Sequence, residues 1–173
     1  KWHLGSRDET YWPLQRGFEK FSGCVMGANN YFEPVSPRHI THMNEKVEKL
    51  ESTTDRAWYA TDAYTDFAMR FIEEEAHGMD RPFFLYLAYN APHWPIQAHE
   101  EDIDNYCGQY AMGWDKLREQ RYQRQIESGL IDPTWKLTPR DARVPAWDSL
   151  DKAKQRREAL RFSVYAAMID CVD

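Results

Sequence analysis

At 173 residues with a formal net charge of −6, the chain is long enough to bury a sizeable core and lacks the basic surplus that nucleic-acid binders use to neutralise phosphates. Aromatic residues make up 14%, with seven Trp and ten Tyr, which excludes the composition of a disordered segment. No apolar run approaches the roughly 18 residues of a membrane helix, and Cys24, Cys107 and Cys171 are too scattered for a zinc CxxC site or a disulfide framework, so they read as buried free thiols.

The first feature in chain order is Lys1-Trp2-His3-Leu4-Gly5. In an extended stretch alternate side chains share a face, so Lys1 and His3 are expected side by side as an anion-binding edge. Between 11 and 37, Gly, Pro and Asn recur, which predicts a looped excursion with short turns. Ala60, Ala63, Tyr64, Phe67, Ala68, Phe71 and Ile72 then repeat at three-and-four spacing. They predict a helix over 61–77, capped by Thr61 or Asp62 and stopped at Gly78. After Arg81-Pro82, the run Phe83-Phe84-Leu85-Tyr86-Leu87-Ala88-Tyr89 is too short for a typical helix and reads as a strand buried on both faces of a parallel sheet. Helix followed by such a strand is half of an α/β repeat.

Asn90-Ala91-Pro92-His93-Trp94-Pro95 makes a proline-bounded turn after that strand, and ligands of open α/β sheets bind at such carboxyl ends. The chain is polar from 100 to 145, with a helix predicted around 114–127, closed by Gly129. A last helix begins near Ser149 and carries Leu160, Val164, Ala167, Met168 and Cys171 on one face. It runs to Asp173 without a stop signal. Glu73-Glu74-Glu75 and the basic stretch 152–161 read as solvated helix faces.

Lys1 and His3 together offer an oxyanion clamp and a proton-transfer imidazole, although a Lys and a core-satisfied His at a strand end have the same appearance. A lone histidine after a buried strand is more often structural, but Pro92 and Pro95 restrict where the His93 imidazole points, which suits a preorganised donor. His39 and His42 would lie three apart on a helix without a carboxylate or third histidine to complete a metal site. Asp170 and Asp173 read as polar surface. No Gly-x-Ser-x-Gly elbow, Cys-His pattern or phosphate-cradling glycine loop supplies a nucleophile.

Lys1-Trp2-His3-Leu4-Gly5 resembles the Gly-Lys-Trp-His-Leu-Gly element of the sulfatases, in the alkaline-phosphatase-like superfamily. The resemblance continues through Pro13-Leu14-Gln15-Arg16-Gly17-Phe18, where Glu19 stands in place of the family's Asp, through Asn30-Tyr31-Phe32, and through the helix start at 59–66. Residues 82–95 are similar to the strand and turn that deliver the second active-site histidine. Residues 110–114 and 164–170 resemble bacterial arylsulfatase-type members in particular.

The resemblance implies an α/β fold, a partial α/β/α sandwich of the alkaline-phosphatase-like type, with 1–173 as an interior segment of a single catalytic domain. It implies a sulfuric ester hydrolase that works through a formylglycine, made from Cys or Ser and hydrated to a diol, beside bound calcium. By matching position, Lys1 would contact the sulfate and the formylglycine, His3 would act as base on the diol, and His93 would bind a sulfate oxygen and protonate the leaving alcohol. The substrate would be a small-molecule or carbohydrate sulfate ester, and the compartment periplasmic or secreted.

The chain departs from the family pattern where the nucleophile should be. Cys24-Val25-Met26-Gly27-Ala28 lacks the Pro and Arg of the formylglycine motif, as do the surroundings of Cys107 and Cys171. The calcium ligands and the second active-site lysine are expected outside the segment, so no metal site is assigned within it and the segment alone is expected to be inactive. A phosphodiesterase or phosphonate hydrolase of the same superfamily, or a non-catalytic sulfate-binding homologue, would share this scaffold. Trp2, Trp94, Trp135 and Trp147 could line a pocket for an aryl or sugar group, and the choice between those groups stays open, as does the oligomeric state.

Overall fold

The computed structural model describes residues 1–78 and 82–173. Its contacts divide into two compact units, Lys1–Ala98 with Met168–Asp173, and His99–Ala167.

In the first unit the predicted looped excursion holds two 3-10 turns, Glu9–Tyr11 and Pro13–Arg16, and also a strand, β1 (Ser22–Cys24). β1 pairs antiparallel with β2 (Ile40–His42), which pairs antiparallel with β3 (Glu45–Val47). The β2–β3 connection is Met43-Asn44, and Met43 takes the left-handed φ of 54° that a tight hairpin needs. β-branched Ile40 and Thr41 suit a strand, so the helix considered for His39 and His42 does not form. Along a strand, residues three apart face opposite ways, which removes any shared metal. His42 instead pairs across the ladder with Ser22, Nδ1 to Oγ at 2.7 Å, and packs its ring on Phe67.

α1 (Ala60–Gly78) matches the predicted helix. Its stripe buries Ala60, Ala63, Tyr64, Phe67 and Ala68, while Ile72 in the later turns is 40% exposed. Tyr59, just before it, stacks on Tyr31 at 5.6 Å and donates its hydroxyl to the Gln97 carbonyl at 2.7 Å. Both tyrosines are buried, and burial pushes their phenol pKa values upward. The Glu73-Glu74-Glu75 run is not purely solvated, because Lys20 Nζ reaches Glu74 at 2.6 Å and Glu75 at 2.9 Å.

Residues 82–89 correct the expectation of a doubly buried strand. No described segment forms a strand ladder with them, and Phe84 and Tyr86 are 78% and 58% exposed. An apolar run states what a segment needs covered; a strand also needs partners for its N–H and C=O groups. Arg81, at the predicted lead-in, lies outside the described residues. Contacts are made near the end of the run, where the Lys1 amine reaches the Ala88 carbonyl at 2.7 Å and the Tyr89 hydroxyl lies 2.7 Å from Thr65 Oγ1.

The second unit contains α2 (Glu100–Asp104), α3 (Gly113–Glu127), a 3-10 turn at Trp147–Ser149 and most of α4 (Lys152–Val172). α3 matches its prediction, and Gly129 follows it with a φ of 72°. α4 starts later than Ser149, because Asp151 accepts the Lys154 N–H at 2.8 Å and caps the helix there. Its predicted face is buried only in part: Ala167 and Met168 are buried, Leu160 is 56% exposed. Trp147 is the second unit's anchor. It meets Trp114 edge-on at 4.9 Å, its N–H donates to the Asp115 carboxylate at 2.9 Å, and Arg140 donates to the same carboxylate at 2.9 Å. Those bonds lower the Asp115 pKa. The expectation of three buried thiols holds for Cys24 alone; Cys171 is half-buried and Cys107 is exposed, because it lies in the solvent-facing turn that follows α2.

One outcome follows from these contacts. Gly113 has a φ of 82°, and a Cβ there would lie 2.1 Å from ring atoms of Trp147. Gly113→Ala is therefore expected to destabilise the chain by about 2 kcal/mol or more, measured by denaturant unfolding.

Candidate functional site

Residues 1–3 are held by backbone hydrogen bonds. The Trp2 N–H donates to the Cys24 carbonyl and the His3 N–H to the Val25 carbonyl, both at 2.9 Å, so these residues run beside the end of β1. On the other side the Lys1 amine reaches Ala88. Lys1 and the 90–95 turn are thus tied to one backbone frame.

The expectation that Lys1 and His3 project together fails in its reasoning. His3 has a φ of 62°, a left-handed conformation that breaks the alternation of an extended strand. Its solvent-exposed imidazole lies over Gly27, so close that a Cβ on Gly27 would sit 2.6 to 2.8 Å from three ring atoms. Lys1 and Trp2 instead line a cavity of about 400 Å³ with Phe18, Tyr64, Phe71 and Phe84, and neither His3 nor His93 belongs to its lining. The Tyr64 hydroxyl is buried without a hydrogen-bond partner among the described residues, and burial raises its pKa well above the ordinary range.

His93 is exposed on the turn after 82–89. Its N–H donates to the Asn90 carbonyl at 2.9 Å, and its own carbonyl accepts the Tyr31 hydroxyl at 2.9 Å. Nδ1 lies 2.6 Å from the Trp94 carbonyl. A carbonyl can only accept, so Nδ1 carries the proton and Nε2 is the nitrogen left for chemistry: a base in the neutral ring, a donor in the imidazolium.

Asn90 connects the two histidines. Its side chain is buried, and Nδ2 donates to the Gly27 carbonyl at 3.2 Å. The path runs from the His3 ring to Gly27, to the Asn90 amide, and through the Asn90 carbonyl to the His93 N–H. Asn90, Gly27 and Tyr31 were not among the residues singled out for chemistry in the sequence. The available signal was an Asn opening a proline-rich turn, a residue that commonly organises turn backbone.

Cys24 lies fully buried, and burial pushes its thiol pKa up despite the nearby Lys1 amine and Asn90 amide. A thiol held protonated is a poor nucleophile. Among the described residues no group of three or more His, Cys, Asp or Glu side chains could hold a metal ion. These residues therefore do not fit a calcium site, and no step below passes through one. Of the four tryptophans considered for a ligand pocket, Trp147 is core, Trp2 lines the apolar cavity, Trp135 is exposed in the second unit, and Trp94 stands 75% exposed beside His93. No described helix is long and apolar enough to cross a membrane.

A family model described as Sulfatase matches residues 1–173. An uncharacterized sulfatase of Schizosaccharomyces pombe is 32% identical over 186 residues, covering 100% of this chain and 32% of the relative. An arylsulfatase of Klebsiella aerogenes is 30% identical over 178 residues, covering 100% of this chain and 37% of the relative. The chain thus spans about a third of the length of these relatives. Among solved structures, Ps i-CgsB in complex with k-i-k-neocarrahexaose aligns with a TM-score of 0.51 at 22% identity, covering 99% of this chain and 31% of that one. That likeness is one of fold.

Proposed function

The chain belongs to the sulfatase family, and on that premise we propose that it forms one wall of the pocket of a sulfuric ester hydrolase, as a segment of a single α/β/α catalytic domain. Lys1, His3 and His93 are the groups that meet the substrate. The observation that carries this reading is the chain of contacts from the His3 ring to Gly27, from the Gly27 carbonyl to the Asn90 side-chain amide, and from the Asn90 carbonyl to the His93 N–H, which links two exposed imidazoles from distant parts of the sequence.

In this reading the Lys1 ammonium attracts the sulfate oxygens and His93 acts on the leaving group. With Nδ1 bonded to the Trp94 carbonyl, the His93 imidazolium donates its Nε2 proton to the ester oxygen as the sulfur–oxygen bond breaks. His3 is the second imidazole available for proton transfer. In the family, formylglycine supplies the nucleophile and calcium a charge for the sulfate oxygens; the residues present here build neither. Trp94, exposed beside His93, suits stacking against a ring, so the substrate class is a ring-bearing sulfate ester, aryl or sugar.

Removing the proton donor should matter most where the leaving group is a poor one. In the full-length protein His93→Ala is expected to lower kcat/KM for an alkyl or sugar sulfate by about 10²–10⁴-fold and for a nitrophenyl sulfate much less, because nitrophenolate departs without a proton. Equal losses for all leaving groups would count against His93 as the acid. The 173-residue chain by itself should release no phenol from a chromogenic sulfate ester, since it lacks a nucleophile to form the first bond. Calcium-dependent turnover by this chain alone would refute that expectation.

A further inference from the structure

We propose that Gly27 and Asn90 are positioning residues: the Gly27 peptide seats the His3 imidazole, and Asn90 ties that seat to the turn carrying His93. The proposal rests on the sulfatase reading for its kinetic consequences, and on geometry for the seat itself.

Gly27 is not in the left-handed region that would itself favour glycine, so the backbone tolerates a side chain there. What forbids one is the ring. A Cβ would lie 2.6 Å from His3 Nε2, 2.7 Å from Cε1 and 2.8 Å from Cδ2, closer than nonbonded carbon ever sits. The three heavy atoms nearest such a Cβ all belong to the His3 ring, so a side chain at 27 can enter only if that ring moves. His3 itself holds an uncommon left-handed backbone, and such conformations persist where the surroundings over-determine them. The surroundings here are the His3 N–H bond to Val25 and the flat contact with Gly27.

Asn90 explains how the seat stays aligned with the second imidazole. Its Nδ2 donates to Gly27, while Oδ1 is buried without a hydrogen-bond partner among the described residues. An orphaned buried oxygen is unfavourable, so an apolar residue would suit the same volume better if filling were the only requirement. Asparagine adds the donated bond, and the carbonyl of the same residue receives the His93 N–H. One buried residue thus touches both catalytic loops.

The test is a mutant cycle in the full-length protein with Gly27→Ala, His3→Ala and the double variant, followed by kcat/KM and by denaturant unfolding. Gly27→Ala should push the ring aside and cost on the order of 10²-fold in kcat/KM, the scale of a misplaced group. In the His3→Ala background, where the ring is gone, the same substitution should cost less than about threefold and no stability. Equal costs in both backgrounds, or wild-type kinetics for Gly27→Ala, would overturn the seat. Asn90→Ala should steepen the dependence of rate on leaving-group pKa, as His93→Ala does; a uniform loss over all leaving groups would reduce Asn90 to a structural role. A full-length protein without sulfate-ester turnover would sink the sulfatase reading instead, and the unfolding cycle would still decide whether Gly27 seats the ring.

Discussion

The placement of residues 1–3 against Cys24 and Val25 is the constraint on which the site depends. Two backbone bonds of 2.9 Å hold this segment to the end of β1, and β1 is in turn held by its ladder to β2. Fixing the His3 backbone limits where its ring can go, and the ring lies against Gly27. If the ladder moved by one residue, every side chain on it would change face. The seat and the tie through Asn90 would be lost together.

From that constraint the electrostatics follow. The interior behind residues 1–3 is closed: Cys24, Tyr31 and Tyr59 are buried, and each has its acidic proton held more tightly for that reason. No anion is available there to act as nucleophile. His3 and His93, by contrast, stand exposed at the surface.

α1 and α3 were legible in the sequence because a helix is stabilised by contacts within a few residues, and the spacing of Ala63, Phe67 and Phe71 displays its buried face directly. β1, β2 and β3 were not legible. Each has only three residues, too few for alternation to show; the Met43-Asn44 turn joins β2 to β3, and β1 meets β2 only across residues 25–39. The run 83–89 failed in the opposite sense: its composition was clear, but a strand depends on partners that composition does not name. In the site, His93 and its turn were legible from Pro92 and Pro95. The His3 conformation was not, because a left-handed φ at a histidine leaves no trace in the sequence. Gly27 was written there, yet a glycine states only that something comes close.

The chain as a whole repels what its site would attract. A net charge of −6 gives an unfavourable long-range field for a sulfate ester, but that field is screened beyond about 8 Å at physiological ionic strength. Within that distance what counts in the proposed reading is the local set of the Lys1 ammonium and the two imidazoles, since the Trp2, His3 and His93 N–H groups are spent on backbone carbonyls. Two carboxylates, Glu19 and Glu75, line the cavity that Lys1 also lines, and Lys20 pairs with Glu75 at 2.9 Å. In the proposed reading an anion at residues 1–3 meets the Lys1 ammonium and the His3 ring. In the proposed reading, selection for an anionic substrate by this acidic segment is a short-range property. It requires donors held in place, not abundant charge, which is why the backbone bonds at Cys24 and Val25 matter more to that reading than the composition of the segment.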